Sequence, residues 1–233
     1  MTIEKTVLVP LSADETFALL TEPERLRRWQ LVSARMDLRA GGDYRWTVVP
    51  GANVLGTFLE VEPGKRIVFT WDWEEGDLGP GDSTVTITLE PAEGGTTVRL
   101  LHEGLTPEQD ERHSEGWDHF MGRLIVAARD GDAGPDPTWQ RPGEDWDPLI
   151  SAEASLAACQ YVLAQMGPGD GTAQTPCAKF DVAQLAEHLC GSLVSLGACV
   201  GVQAAPDPDA ALEVRVADLG QAVLEGWRRH GLE

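Results

Sequence analysis

Basic side chains are scarce in this chain: 18 Lys and Arg stand against 38 Asp and Glu in 233 residues, a formal net charge of −20. That shortage excludes nucleic acid as a partner, because phosphate binding draws on clustered cations and counterion release. It disfavours an anionic membrane surface for the same reason. Long apolar runs are missing too; the nearest, residues 189–205, is rich in Gly, Ser, Ala and Cys and too weakly lipophilic to cross a bilayer. The N-terminal Met1-Thr2-Ile3-Glu4-Lys5 lacks the basic and then apolar pattern of an export signal, so a cytoplasmic location is expected. The four cysteines form no CxxC pair and all lie in the last third. Cys190 and Cys199 would sit roughly 13 Å apart along one helix, too far for a disulfide, and reduced, mostly buried thiols are expected. No Gly-rich phosphate loop, nucleophile elbow or HExxH motif occurs, so no reaction can be read from a local signature.

What is present divides into two parts of similar charge. Residues 1–140 carry 13 basic and 25 acidic side chains and the remainder 5 and 13, so the acidity is a property of the whole surface and not of a tail. The first part alternates like a sheet protein. Ile3 to Val9 reads as a strand, and Ser12-Ala13-Asp14-Glu15 as a capping box opening a helix to Leu20. A second short helix runs from Pro23 to Trp29. Alternation over Ala34–Leu38, a Gly41-Gly42 turn, and alternation over Tyr44–Val48 follow. Residues 53–60, Arg66–Trp73, Val85–Leu89 and Val98–His102 read as further strands. Ile67, Phe69, Trp71 and Trp73 share one parity, so one sheet face is strongly aromatic.

Beyond Thr106-Pro107 the period changes to about 3.6. Trp117, Phe120, Met121, Leu124, Ile125 and Ala128 form one broad apolar stripe on a long helix ending near Gly131. An antiparallel meander of about seven strands with one apolar face needs such a cover. The expectation is an α+β fold in which a curved sheet grips the long helix, and a gap between them is where an apolar ligand binds. Residues 133–147, dense in Gly, Pro and acid, read as a linker. Residues 148–233 read as helices only: one from Pro148 to about Gln165, one capped by Asp181 and running to about Val202, and one over Ala210–Arg229. Three helices with short connections suggest a small all-α partial bundle, with Leu185, Leu189, Leu193, Leu196 and Val200 as the core stripe of its middle helix.

Two resemblances follow from these residues. Phe17 through Trp29, Gly41-Gly42-Asp43-Tyr44, Gly56 through Pro63, Arg66 through Trp71 and Gly116-Trp117 together resemble the SRPBCC superfamily. Within it they are similar to the branch related to the C-terminal domain of the heat-shock-protein-90 ATPase activator. The match covers roughly residues 1–132 and implies a helix-grip fold with a ligand cavity, but no shared catalytic set. Thr175-Pro176-Cys177 through Asp181, followed by Leu185-Ala186-Glu187-His188-Leu189, resembles the second helix of the DinB-like proteins that include mycothiol-dependent maleylpyruvate isomerase. That resemblance covers residues 148–233 and implies His188 as the first ligand of a divalent metal. The family's other ligands come from a further helix with a His/Glu-x-x-x-His pair, which the sequence does not contain, and a catalytic zinc-type centre ordinarily needs three protein ligands.

The expected ligand-cavity residues are Tyr44, Trp46, Phe69, Trp71, His102, Trp117, Phe120, Met121 and Leu124, with Arg45 added if strand register allows. His102 shares the parity of Val98 and Leu100; it either orients a ligand or acts as a base, or it is a hydrogen-bonded core histidine. His113 and His119 on the long helix are expected to be solvated. Three functions from different classes are compatible with these features. They are binding of a small hydrophobic or aromatic molecule, a metal- or thiol-dependent isomerase or transferase in the second part, and interaction with a chaperone ATPase. The first fits the aromatic sheet face best, with no catalytic residue assigned, and the uncovered faces of an incomplete bundle favour a homodimer.

Overall fold

The computed structural model describes residues 1–74, 81–136, 146–167 and 169–231. The chain divides into two compact units, residues 1–138 and 139–233.

The first unit is an antiparallel sheet with helices. Its strands are β1 (Thr2–Val9), β2 (Ser33–Met36), β3 (Asp43–Val49), β4 (Ala52–Glu62), β5 (Arg66–Thr70), β6 (Asp72–Trp73), β7 (Thr84–Ala92) and β8 (Gly95–Glu103). They run in the order β1-β8-β7-β5-β4-β3-β2, with β6 added to β4. Two helices, α1 (Ala13–Thr21) and α2 (Pro23–Leu26), follow β1, and the long α3 (Pro107–Asp130) follows β8. This mixed α+β arrangement is that of a helix-grip fold.

Local chemistry sets most boundaries. Ser12 Oγ accepts from Glu15 N at 3.3 Å while the Glu15 carboxylate accepts from Ser12 N at 3.1 Å, so two orphan amides at the start of α1 are satisfied reciprocally. The Gln109 side chain returns to Thr106 N in the same way at the start of α3. At its other end Gly131 adopts φ +87°, and its amide bonds the carbonyl of Ala127, the left-handed cap that glycine makes without strain. The buried residues of α3 are Trp117, Met121, Leu124 and Ala127, a stripe at helical spacing that meets the sheet core of Trp46, Phe58, Phe69 and Trp71.

Three features of this unit differ from the sequence reading. The short helix α2 closes at Leu26, with Trp29 beyond it in a turn and its indole donating to Leu19 O at 2.9 Å. Residues 66–73 are not one strand. Arg66–Thr70 pairs with β7, a register that the Trp71 N to Ser83 O bond carries one residue further, while Asp72–Trp73 pairs with the first half of β4. The expected linker begins as part of the unit: Ala133 N bonds Arg28 O, Arg123 donates to Gly134 O at 2.6 Å, and the buried Asp136 receives His119 Nε2 at 2.7 Å. Residues 137–145 of that linker lie outside the described residues.

The second unit contains α4 (Pro148–Ala164), a 3-10 turn (Asp170–Thr172), α5 (Val182–Ala198) and α6 (Leu212–His230). Asp181 caps α5 through Gln184 N at 2.8 Å, as the sequence suggests, and the helix closes at Ala198. Its buried face, however, is Ala186, Cys190, Leu193 and Gly197, whereas Leu185 and Leu196 are exposed. α6 covers this face, with Cys190 and Leu193 in one core with Val216, Leu219 and Val223. A Cβ on Gly197 would lie 3.1 Å from Val223, and one on Gly220 of α6 would lie 2.8 Å from Leu156 of α4. A bidentate Arg215–Glu187 pair and an Arg228–Glu153 pair tie α6 to α5 and α4. Of the thiols expected to be mostly buried, Cys177 and Cys199 are exposed, Cys159 is half-buried and only Cys190 is buried; all four are free.

Candidate functional site

The aromatic face of the sheet meets α3 in a continuous array of rings. Tyr44 and Trp46 lie 4.2 Å apart by centroid, Trp46 and Phe69 5.4 Å, and Trp71 and Trp117 5.1 Å, so β3, β5, Trp71 between β5 and β6, and α3 meet in one cluster. Tilted and edge-to-face pairs of this kind suit the ring quadrupole. Eight of the nine residues expected to line a cavity here are buried, and Phe120 is half-buried. Arg45 is not among them. It points to the opposite sheet face, in register with Leu55, where it makes a bidentate pair with Glu74 at 2.7 and 3.3 Å.

A chain of hydrogen bonds runs through the array. The Trp117 indole on α3 donates to His102 Nδ1 at 3.1 Å, His102 Nε2 lies 3.0 Å from Ser83 Oγ, and Ser83 Oγ donates to Trp71 O at 2.6 Å. An indole N–H can only donate, so His102 Nδ1 must be the lone pair and Nε2 must carry the proton. This order runs opposite to nucleophile activation. The imidazole gives a hydrogen to Ser83 and does not take one, and both residues are fully buried, so His102 is the hydrogen-bonded core histidine and not a general base. Burial holds its pKa down to about 3.

His113, expected to be solvated, instead forms a second such pair. Trp73 on β6 donates to His113 Nε2 at 3.0 Å, and His113 Nδ1 lies 2.7 Å from Gln109 O, which makes Nδ1 the protonated nitrogen. Its pKa is also lowered, mainly by burial. The sequence signal for this pair was the aromatic parity of Trp71 and Trp73. Neither Ser83 nor His113 stands out by motif. His119 is likewise engaged, by Asp136.

The Tyr44 phenol donates to Thr70 O at 2.6 Å, and burial pushes its pKa well above the usual tyrosine range, so it is a hydrogen donor and not an acid at neutral pH. Gly56 is required beside it, since a Cβ there would lie 2.1 Å from Thr70 O and 2.6 Å from the Tyr44 ring. Trp29, Trp73 and Trp117 all have indole acceptors, but Trp46 Nε1 and Trp71 Nε1 are buried without one. Buried donors are nearly always paired, so these two mark a local polar deficit within an otherwise saturated cluster.

Sequence comparison assigns this unit. A family model described as "Activator of Hsp90 ATPase homolog 1-like protein" matches residues 10–128, more than half of the chain. The chain belongs to this family. Among its relatives, the human activator of 90 kDa heat shock protein ATPase homolog 1 is 28% identical over 123 residues, 52% of this chain and 34% of that protein. This chain therefore spans about a third of the length of that curated relative. An AHSA1-like protein from Rhizobium etli is 34% identical over 63% of this chain and 93% of its own, with a TM-score of 0.49. Protein MLL2253 from Mesorhizobium loti covers 57% of this chain and 99% of its own at 24% identity and a TM-score of 0.50, a likeness of fold. The family match takes in β2 to β8, α1, α2, most of α3 and the aromatic array. It leaves α4, α5 and α6 to be explained separately.

His188 lies in that second unit, exposed on α5 and stacked on Phe180 at 5.2 Å with 16° between the ring planes. It borders an open apolar groove of about 610 Å³ between α4 and α5, lined among others by Cys159, Val162, Met166, Leu185 and Leu189. Among the described residues, no three His, Cys, Asp or Glu side chains converge as a metal-ligand set would. No helix of the described residues is long and apolar enough to cross a membrane.

Proposed function

We propose that the AHSA1-like unit binds a small hydrophobic or aromatic molecule bearing a hydrogen-bond acceptor, held between the aromatic sheet face and α3. The observation that carries this reading is the pair of buried indole donors, Trp46 Nε1 and Trp71 Nε1, without acceptors among rings that are otherwise fully bonded. A ligand carbonyl or ether oxygen supplies what they lack, and Tyr44, Phe69, Trp117, Phe120, Met121 and Leu124 supply the apolar walls. Tryptophan fluorescence and thermal shift against a panel of aromatic ketones, lactones and matched hydrocarbons test this. Oxygenated members should raise the melting temperature and quench emission, and Trp71→Phe should remove their advantage over the hydrocarbons. No response across the panel overturns the reading.

A second reading is favoured by the name of the human relative: association with a chaperone ATPase. Failure both to co-purify with such an ATPase and to change its ATP hydrolysis would exclude it. For the second unit, the Thr175-Pro176-Cys177 and His188 pattern supports a DinB-like helical module, with metal- or thiol-dependent isomerase or transferase chemistry as its extension. Elemental analysis of purified protein and of His188→Ala separates the two ideas, since a metal-bearing module should lose its metal in the variant. Exposed Val162, Leu185 and Leu196 support homodimerisation through this unit, which light scattering tests directly.

A further inference from the structure

Two indole–imidazole bonds running in opposite directions fasten α3 to the sheet. Trp117 on α3 donates to His102 on β8, and Trp73 on β6 donates to His113 on α3. The two imidazole centroids are 5.3 Å apart. In each ring the second nitrogen carries the hydrogen and is already engaged, by Ser83 Oγ or by Gln109 O. A proton added to either ring therefore has one place to go, the lone pair that holds the indole. Two N–H groups would then face each other across about 3 Å, and the bond between helix and sheet becomes a repulsion.

Around the pair, Asp110 favours a positive charge on His113 and Arg112 opposes it, and burial outweighs both. The charged groups acting on His113 are Arg112 and Asp110, both on α3, and the group acting on His102 is His113 itself. Across the sheet, β1 and β7 place Ile3 and Val85 opposite His102. Asp72 on β6 has the parity of Leu55 and Arg45, on the other face, and Lys5 of β1 is paired with Asp118 of α3 at 2.7 Å. Burial thus favours the neutral rings, and a first proton disfavours a second.

We infer that the N-terminal half of α3 is an acid-released clasp on the aromatic sheet face: protonation of His113 or His102 breaks an α3-to-sheet bond, and opening at one ring hydrates the other. The clasp belongs to the AHSA1-like unit whether or not a ligand is bound. Release starts at His113, the half-buried member, and proceeds to the fully buried His102. The sheet beneath keeps its own ladder, because none of the β7–β8 backbone bonds involves an imidazole.

Hydrogen exchange on the full chain from pH 7.5 to 3.5, corrected for intrinsic exchange rates, reads this locally. The expected result is that peptides from residues 107–121 lose protection by about tenfold per pH unit below the onset of release, at pH values where β7 and β8 peptides stay protected. His113→Gln offers Trp73 a carbonyl acceptor that does not titrate, and should move the release of α3 to lower pH. If α3 and the strands lose protection together, or if His113→Gln releases α3 at the same pH as the parent, the inference fails. His113→Gln is the deciding variant because its site is only half-buried; His102→Gln adds a second reading where it folds.

Discussion

Ser83 is an unremarkable residue in the sequence, between Asp82 and Thr84, yet it closes the hydrogen-bond chain on which the ring array depends. Its hydroxyl accepts from His102 and donates to the Trp71 carbonyl, so Ser83→Ala would leave a fully buried imidazole N–H without an acceptor. Stranding a buried donor costs about 1–3 kcal/mol, and urea denaturation should show that loss without a change in slope. His102 also links the fold to pH. Its folded pKa of about 3 lies below the ordinary 6.5, so above pH 6.5 the ring is neutral in both states and contributes nothing. Between pH 6.5 and about 3 the unfolded chain takes a proton that the folded chain refuses. Stability therefore falls with acid by about 1.4 kcal/mol per pH unit from this group. Denaturation midpoints at pH 7, 6 and 5 should fall in that order, and a flat profile down to pH 4 would contradict the buried neutral ring.

At the scale of elements, periodicity was a sound guide to which segments are helix and strand and a poorer one to which face is covered. For α3 the apolar stripe and the buried residues agree, because the sheet offers one continuous apolar partner. For α5 they do not. Leu196 lies on the apparent stripe but is exposed, while Leu193 and Gly197 are buried under α6. Two substitutions separate the faces. Leu193→Ala should destabilise by about 2–5 kcal/mol, whereas Leu196→Lys should stay within about 0.5 kcal/mol, both measured by thermal or chemical denaturation. The same limit applies to β5 and β6. Alternation reads through residues 66–73 without interruption, while the pairing partner changes from β7 to the first half of β4 between Thr70 and Asp72, which no local pattern marks.

At the scale of the whole molecule, −20 on 233 residues is a self-repelling charge that the fold must tolerate. Much of the ion pairing is local and exposed, as in Arg25–Glu22, Arg39–Asp37 and Arg129–Asp130, where a pair contributes little. Screening should therefore help more than it harms. Raising NaCl from 20 to 300 mM shortens the Debye length from about 20 Å to about 6 Å, and the melting temperature should rise; a fall would show that specific pairs outweigh the net repulsion. Each unit has its own core, one built on the aromatic sheet face and one on Cys190, Leu193, Val216, Leu219 and Val223. An unfolding curve for the full chain is accordingly read for two transitions and not for one.

Legible in the chain alone are the acidic surface, the succession of strands and helices in the first unit apart from the β5–β6 break, the caps at Ser12, Gly131 and Asp181, and the family to which residues 10–128 belong. These are local or periodic properties, written in neighbouring residues. It also placed Trp71, His102 and Trp117 in one region, because strand parity and helical spacing aim them at a common layer. The packed fold was needed to show that His102 donates to Ser83, that His113 is held by Trp73 forty residues earlier, that Arg45 faces away, and that α6 covers the Cys190 and Leu193 face of α5. Those outcomes depend on distances between groups far apart in the chain, and a hydrogen-bond direction or a helix approach is fixed only when both partners are in place.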